Sequence, residues 1–278
     1  MQLVNSFAAL SVFLATAVLA APPSAQPRLF FPPSNSNTSS AGLPSTDAFY
    51  QPPAGWASKA NGAILRSRAV KPSSSNAAAA YQILFKTTDA LGNADHTATT
   101  ILIPKKPQSP AKIVSLQLPE DSASVDCAPS AALVANSKSK FAIAIPFVNQ
   151  GLEPSLQNGY YVSTFSGRCS CCRCPAYFAP SDQVNVPDHE GSKALVFVGS
   201  MEGHAVLDSL KAATNFPTAI PGVSKQTPIV LGGYSGGAHA SAWASQLYPS
   251  YASSLNIIGQ VIGGTPVNVT SVLYYING

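Results

Sequence analysis

The chain has 278 residues, of which 46% are hydrophobic and only 10% are charged, so it is long enough to bury a sizeable core. A charged fraction this far below the roughly 25% of average soluble proteins excludes a charge-rich disordered protein and a coiled coil. The net charge is +4, yet Lys105 and Lys106 are the only adjacent basic residues, which argues against a nucleic-acid-binding surface.

The first twenty residues have the composition of an export signal. Residues 3–20 are apolar and uncharged, and the small residues Val18 and Ala20 precede an Ala-Pro-Pro sequence. This pattern predicts a signal peptide over residues 1–20 and a secreted, extracellular chain. The alternative is a membrane anchor, but the run barely reaches the length of about 20 residues that a span needs. Asn37 and Asn268 begin Asn-X-Ser/Thr sequences, which are compatible with export and glycosylation.

Residues 21–46, rich in Pro, Ser and Asn, are predicted to be a disordered leader or propeptide, with the folded domain over residues 47–278. Alternating apolar residues then predict strands at 81–86 and 97–104. A Gly-Asn turn between them indicates an antiparallel hairpin. Residues 111–118 are predicted to form a third strand.

The second half of the chain alternates strands with helices. The pattern predicts helical segments within 194–213, including an amphipathic stretch at 203–213. It then predicts a strand at 227–232, a helix at 236–248 and a strand at 257–262. Such alternation is typical of a parallel sheet covered by helices. An antiparallel start followed by such units predicts an α/β protein with an α/β-hydrolase-type core.

The sequence GYSGG at residues 233–237 matches the G-x-S-x-G nucleophile motif, between an apolar strand and an Ala-rich helix. A serine on this sharp turn is held clear of the sheet, and small flanking residues avoid clashes in the turn. Ser235 is therefore the predicted nucleophile, and the Gly236 N–H is a predicted oxyanion donor at a helix N-terminus. The alternative is a plain Gly-rich turn with an incidental serine.

Several further segments occur in the order found in one enzyme family. They are DAFYQPPAGW at 47–56, GAILRSR at 62–68, EDSASVDCAPS at 120–130, NGYYV at 158–162, PDHEG at 187–191, GGYSGGAH at 232–239 and GGTPV at 263–267. With these motifs the chain resembles the fungal secretory lipase family over residues 47–278, apart from one insertion.

The resemblance implies an α/β-hydrolase that cleaves triacylglycerols at a lipid–water interface through a Ser-Asp-His triad and an acyl-enzyme, without a metal or cofactor. It assigns Ser235 as the nucleophile, and Asp121 together with Gly236 as the oxyanion hole. The alternative for Asp121 is an ordinary loop carboxylate that caps the next helix. Residues 274–278 resemble the start of the family's helical cap. The family partner of Cys127 would lie beyond residue 278, so Cys127 is expected to be a free or mispaired thiol.

The sequence departs from the family pattern after the nucleophile. No Asp or Glu follows Ser235, and His239 is the one later histidine. His239 lies on the helix that leaves the nucleophile turn, so it is interpreted as structural. His189 is assigned to a strand-end motif, His204 to a helix start and His96 to the surface of the hairpin.

These departures predict an α/β-hydrolase fold that lacks the cap, the C-terminal strands and the triad acid and base. We therefore expect no efficient lipase activity from this polypeptide alone. One competing hypothesis is a catalytically dead, hydrolase-like secreted binding protein. Another is a different serine esterase or a peptidase.

Four cysteines lie within six residues, at Cys169, Cys171, Cys172 and Cys174. The favoured interpretation is that residues 163–183 are a retained intron, because a long insertion would interrupt a central strand formed by residues 159–162 and 184–187. A genuine surface loop and a thiolate metal or redox site are the alternatives.

Overall fold

The computed structural model describes residues 42–107, 110–139, 141, 152–153, 155–157, 183–217, 220 and 222–277. The predicted signal peptide and most of the leader lie outside these residues, as do residues 163–182 with the four clustered cysteines. Residues 42–46, assigned to the leader, include a turn at 44–46. The Gly42 N–H and the Phe49 N–H, which lie on either side of this turn, both donate to the Asp47 carboxylate.

The described part of the chain is built on one seven-stranded mixed sheet, with strand order β1-β2-β3-β5-β4-β6-β7. The strands are β1 (Ile64–Val70), β2 (Ala77–Thr88), β3 (Ala94–Pro104), β4 (Ile113–Gln117), β5 (Gln183–Pro187), β6 (Ile229–Tyr234) and β7 (Ile257–Gly263). Strands β1, β2, β3 and β5 pair antiparallel in succession, whereas β5, β4, β6 and β7 are parallel.

The predicted hairpin is confirmed, since Tyr81 pairs with Ile101 and Phe85 with Thr97. Strands β4, β6 and β7 confirm the three other predicted strands within one or two residues. The later half of the proposed interrupted strand is β5, which begins at Gln183, the last residue of the suspected insertion. Its proposed first half, residues 159–162, lies outside the described residues.

The helices are α1 (Pro129–Ala132), α2 (Gly199–Thr214), α3 (Gly236–Tyr251) and α4 (Val269–Asn277). Short 3-10 turns occupy Ala48–Tyr50, Trp56–Ser58 and Val125–Cys127. Helices α2 and α3 confirm the helices predicted within 194–213 and at 236–248, and α2 begins four residues before the amphipathic stretch at 203–213. Residues 274–277 lie in the last turns of α4, and their assignment to a cap stays a prediction. Within the described ranges no helix is both long and apolar enough to cross a membrane.

Helices α2 and α3 cover one face of the sheet and lie close together. A Cβ on Gly203 of α2 would lie only 2.9 Å from the Trp243 carbonyl carbon of α3, so only glycine permits this approach. Leu207 and Leu210 of α2 are fully buried against Ile83 of β2 and Leu231 of β6. A second buried cluster includes Leu102, Leu116 and Val186. This packing fixes the carboxyl ends of β4, β5 and β6 beside one another.

Candidate active site

Ser235 occupies a sharp turn between β6 and α3. Its backbone angles are φ 54° and ψ −123°, a left-handed conformation that costs a non-glycine residue roughly 1–3 kcal/mol. Two backbone hydrogen bonds hold the turn, because Ser235 N donates to Gly263 O at 3.0 Å and His239 N donates to Ser235 O at 3.1 Å. The surrounding fold therefore imposes the strained turn that the G-x-S-x-G motif predicts.

The glycines around Ser235 let three pieces of backbone meet. A Cβ on Gly233 would lie 2.2 Å from Gly237 O, and a Cβ on Gly237 would lie 2.0 Å from Gln117 O. Because real Cβ atoms do not approach backbone that closely, neither position has room for a side chain. Helix α3 thus begins directly against the end of β4.

Gly236 starts α3, so its N–H points out of the helix N-terminus toward the space beside Ser235. Asp121 lies four residues after the end of β4, and its carboxyl is close to Gly236. An ideal Cβ on Gly236 would be 1.9 Å from Asp121 Oδ1. Asp121 also has a positive φ of 42°. The two residues predicted for the oxyanion hole are therefore next to each other in the structure.

Desolvation is the largest influence on the Asp121 carboxyl and raises its pKa, even though the residue itself is exposed. The charge of Glu202 acts in the same direction, whereas His189 and His239 lower the pKa. The net direction is upward. A protonated Asp121 carries an O–H that can donate a hydrogen bond.

Three more carboxyls lie behind Asp121, and sequence reasoning did not single them out. Glu120, Asp188 and Glu190 are 7%, 4% and 1% exposed. Burial raises the pKa of Asp188 to about 7 and that of Glu190 to about 8, and burial also raises the pKa of Glu120. Each of these carboxyls follows the carboxyl end of β4 or β5. The acidic residues in the sequence ED after β4 and PDHE after β5 could therefore have indicated a carboxyl cluster at this edge of the sheet.

His239 is held away from catalysis, which confirms its structural interpretation. Its Nδ1 lies 2.8 Å from Glu202 Oε2 of α2, and its Nε2 accepts a bond from Trp243 Nε1 at 3.1 Å. His189 is 1% exposed, and its Nε2 lies 2.8 Å from Leu118 O.

The assignment of His96 to the surface was wrong. Its ring packs at 4.9 Å from Trp56, its side chain is only 19% exposed, and its Nδ1 is buried without a hydrogen-bond partner. His204 is the sixth residue of α2, not its start, and its ring stacks on Tyr251 at 4.4 Å. None of the rings of the four histidines, all of which are described, forms a hydrogen bond with the Ser235 hydroxyl.

Among the described residues, Cys127 is a half-buried thiol without a disulfide at the end of a 3-10 turn, and its proposed family pairing stays a prediction. Among the described residues, no group of three or more His, Cys, Asp or Glu side chains is arranged to hold a metal ion. The clustered cysteines at 169–174 lie outside the described residues.

A model of the secretory lipase family matches residues 177–278. A lipase A of Moesziomyces aphidis is 36% identical over 84% of this chain and 46% of its own length. A secreted triacylglycerol lipase of Malassezia furfur is 38% identical over 84% of this chain and 43% of its own. The X-ray structure of Candida antarctica lipase A in its closed state superposes with a TM-score of 0.72. That structure is 33% identical to the chain, and the match covers 86% of this chain and 50% of the lipase.

The chain belongs to the secretory lipase family. The α/β-hydrolase fold expected from the sequence is confirmed by the match to Candida antarctica lipase A and by the mixed sheet with its helices. This secretory lipase family member spans about half the length of the curated relatives it matches.

Proposed function

We propose that this secretory lipase family member is a secreted serine carboxylic-ester hydrolase of the triacylglycerol lipase type. The observation that carries the proposal is the convergence of three groups at the end of β6. These are the strained Ser235, the Gly236 N–H at the start of α3, and the Asp121 carboxyl above Gly236. A nucleophile beside two oxyanion donors is the arrangement that acyl transfer needs.

In the proposed reaction, Ser235 Oγ attacks the ester carbonyl carbon, and the carbonyl oxygen becomes an oxyanion. The Gly236 N–H donates one hydrogen bond to that oxygen. Asp121 donates the second through its carboxyl O–H. We assign the side chain because the Glu190 carboxyl, which lies beside the Asp121 backbone N–H, competes for that donor. Collapse of the intermediate breaks the ester C–O bond, and the departing oxygen takes up the proton that Ser235 lost, so that the alcohol leaves and the acyl group stays on Ser235. Water then adds to the acyl carbon, its oxygen and one proton leave with the fatty acid, and its other proton returns to Ser235.

The proton of Ser235 needs a base, and His239 is occupied by Glu202 and Trp243. We therefore propose that the 278-residue chain by itself turns over esters poorly, because loss of triad function lowers kcat by about 10⁴–10⁶-fold. The same observation favours, as a second candidate, a hydrolase-like protein that binds lipid esters without cleaving them.

The nucleophile is tested by prolonged incubation of the chain with a fluorophosphonate and location of the adduct by mass spectrometry. We expect an adduct on Ser235, no adduct in Ser235→Ala, and an unchanged adduct in Ser245→Ala on the same helix. An adduct that persists in Ser235→Ala would contradict the assignment. The absence of any adduct in the wild type would favour the binding protein.

Turnover is tested with tributyrin beside Candida antarctica lipase A. We expect the chain to reach less than about one hundredth of the rate of that enzyme. A comparable rate would show that the chain supplies its own base and would overturn the proposed low activity. It would leave the assignment of Ser235 intact.

A further inference from the structure

The segment that presents Asp121, residues 118–122, is called here the oxyanion loop. It contacts the turn formed by residues 188–191 after β5, and both segments leave the carboxyl ends of neighbouring parallel strands. The neighbouring strands bring the two segments together, and side chains then hold them in place.

Two glutamates link these segments, Glu190 on the turn and Glu120 on the oxyanion loop, and each approaches the other segment. The Glu190 carboxyl accepts from Ser122 N at 3.4 Å and also interacts with the Asp121 N–H. The Glu120 carboxyl lies close enough to the Glu190 backbone N–H for that N–H to lower its pKa, although burial raises the pKa overall. Each glutamate therefore lies beside the backbone of the segment that carries the other. We call this pair the carboxyl clasp.

The clasp acts on a loop that needs support. Asp121 has a φ of 42°, which a non-glycine residue adopts only when its surroundings enforce it. The Glu190 carboxyl engages the N–H groups of Asp121 and Ser122, so it holds the backbone on both sides of the Asp121 carbonyl.

Like charges surround the clasp. The strongest charge interactions on Glu120 and Glu190 come from other carboxyls, namely Asp188 on the turn, Asp121 on the loop and Glu202 on α2. His189 on the turn and His239 on α3 also face the Asp121 carboxyl. In addition, Glu120 Oε2 is buried without a hydrogen-bond partner. An ionised carboxylate is costly in such a site, whereas a protonated acid still accepts a backbone hydrogen bond through its carbonyl oxygen.

We propose that Glu190 and Glu120 are positioning residues that hold the oxyanion loop in its catalytic conformation only while they are protonated, so that the loop is released at alkaline pH. The role of the loop in catalysis rests on the proposed function, but the contact between the two segments does not. Loss of the protons places several negative charges together in a buried site, and separation of the loop from the turn relieves their repulsion.

The direct test is amide hydrogen exchange of the peptide that contains residues 118–122, read by mass spectrometry and corrected for intrinsic exchange. Between about pH 6 and about pH 9 we expect the protection of this peptide in the wild type to fall at least tenfold. Glu190→Gln mimics the protonated acid and keeps its acceptor, so its protection should persist at the higher pH. Glu190→Ala should lack the protection at both values.

Two control variants separate the clasp from other effects. Glu153→Gln makes the same chemical change at a carboxylate that binds Asn76 outside the clasp, and it should behave as the wild type does. Asp121→Asn removes the proposed oxyanion carboxyl and should leave the protection of the loop pH-dependent. Equal wild-type protection at both pH values would overturn the proposal, as would full protection in Glu190→Ala.

Fluorophosphonate labelling of Ser235 connects the loop to the chemistry. At about pH 6 we expect Glu190→Gln to label within about threefold of the wild-type rate, and Glu190→Ala to label at least tenfold more slowly. If no variant labels but the exchange results hold, the clasp stands and the ester-hydrolase proposal fails. If labelling is normal in Glu190→Ala, the clasp does not position the loop for catalysis.

Discussion

Replacement of Gly236 by alanine tests the oxyanion hole while it leaves the fold intact. The new Cβ would lie 1.9 Å from Asp121 Oδ1 and 2.9 Å from the carboxyl carbon of Asp121. Contacts below 3.0 Å essentially do not occur, so the Asp121 carboxyl would have to retreat by about 1.1 Å. The atoms that must move belong to a side chain, and the backbone of α3 can stay in place.

The expected loss follows from the number of donors disturbed. Removal of one oxyanion donor costs about 10²–10³ in rate, or about 2.7–4 kcal/mol of transition-state stabilisation. Because the Gly236 N–H remains, we expect Gly236→Ala to label with the fluorophosphonate about 100-fold more slowly than the wild type. Its free energy of unfolding should change by less than about 1 kcal/mol, since alanine is favoured over glycine in a helix.

The assay is the pseudo-first-order rate of Ser235 labelling, measured by mass spectrometry together with urea unfolding. Gly259→Ala on β7 is the matched control, because a Cβ there would meet nothing within 4 Å. It should label at the wild-type rate. A Gly236→Ala protein that labels within threefold of wild type would refute the placement of Asp121 in the oxyanion hole.

Three further predictions concern the support of the site. Gly237→Ala should lower the free energy of unfolding by about 1–3 kcal/mol or more in urea titrations, since its Cβ would meet the backbone of Gln117 at 2.0 Å. The pKa values of Asp188 and Glu190 are raised to about 7 and about 8, above their unfolded values. The stability they contribute is therefore complete below about pH 4 and is lost as pH rises through 7–8. The urea midpoint should fall over that range, and it should fall less in Glu190→Gln. Ser130→Ala removes the hydroxyl partner of the Asp188 carboxylate and should cost about 1–3 kcal/mol, measured in the same titrations.

The strands and the nucleophile turn were predictable because their signals are local. The alternation of apolar residues fixed β2 and β3, and the G-x-S-x-G spacing fixed the turn at Ser235 before any contact was known. The amphipathic stretch at 203–213 does not extend over the first turn of α2, because GSMEG contains two glycines whose space is filled from α3 by Trp243 and Leu247. The intrinsic helix propensity of a segment does not include such contacts with another helix.

The carboxyl clasp was not predictable for a different reason. Glu120 and Glu190 are far apart in the chain, and they meet only because β5 inserts between β3 and β4 in the sheet. Strand order is a property of the whole fold, and no single segment encodes it. His96 was misassigned for a similar reason, since it is covered by Trp56 from a segment that precedes the sheet.

The parallel pairing of β4 and β6 has a consequence for how the site is built. Leu116 pairs with Gly232 and Gln117 with Gly233, so the strands that lead to Asp121 and to Ser235 are in register up to their last residues. The points at which the nucleophile turn and the oxyanion loop leave the sheet are therefore determined when the sheet forms, and substrate binding need not supply the entropy of bringing them together. At about pH 6, where the carboxyl clasp holds the loop, heat or denaturant should abolish labelling of Ser235 as the clasp opens or the central sheet unfolds.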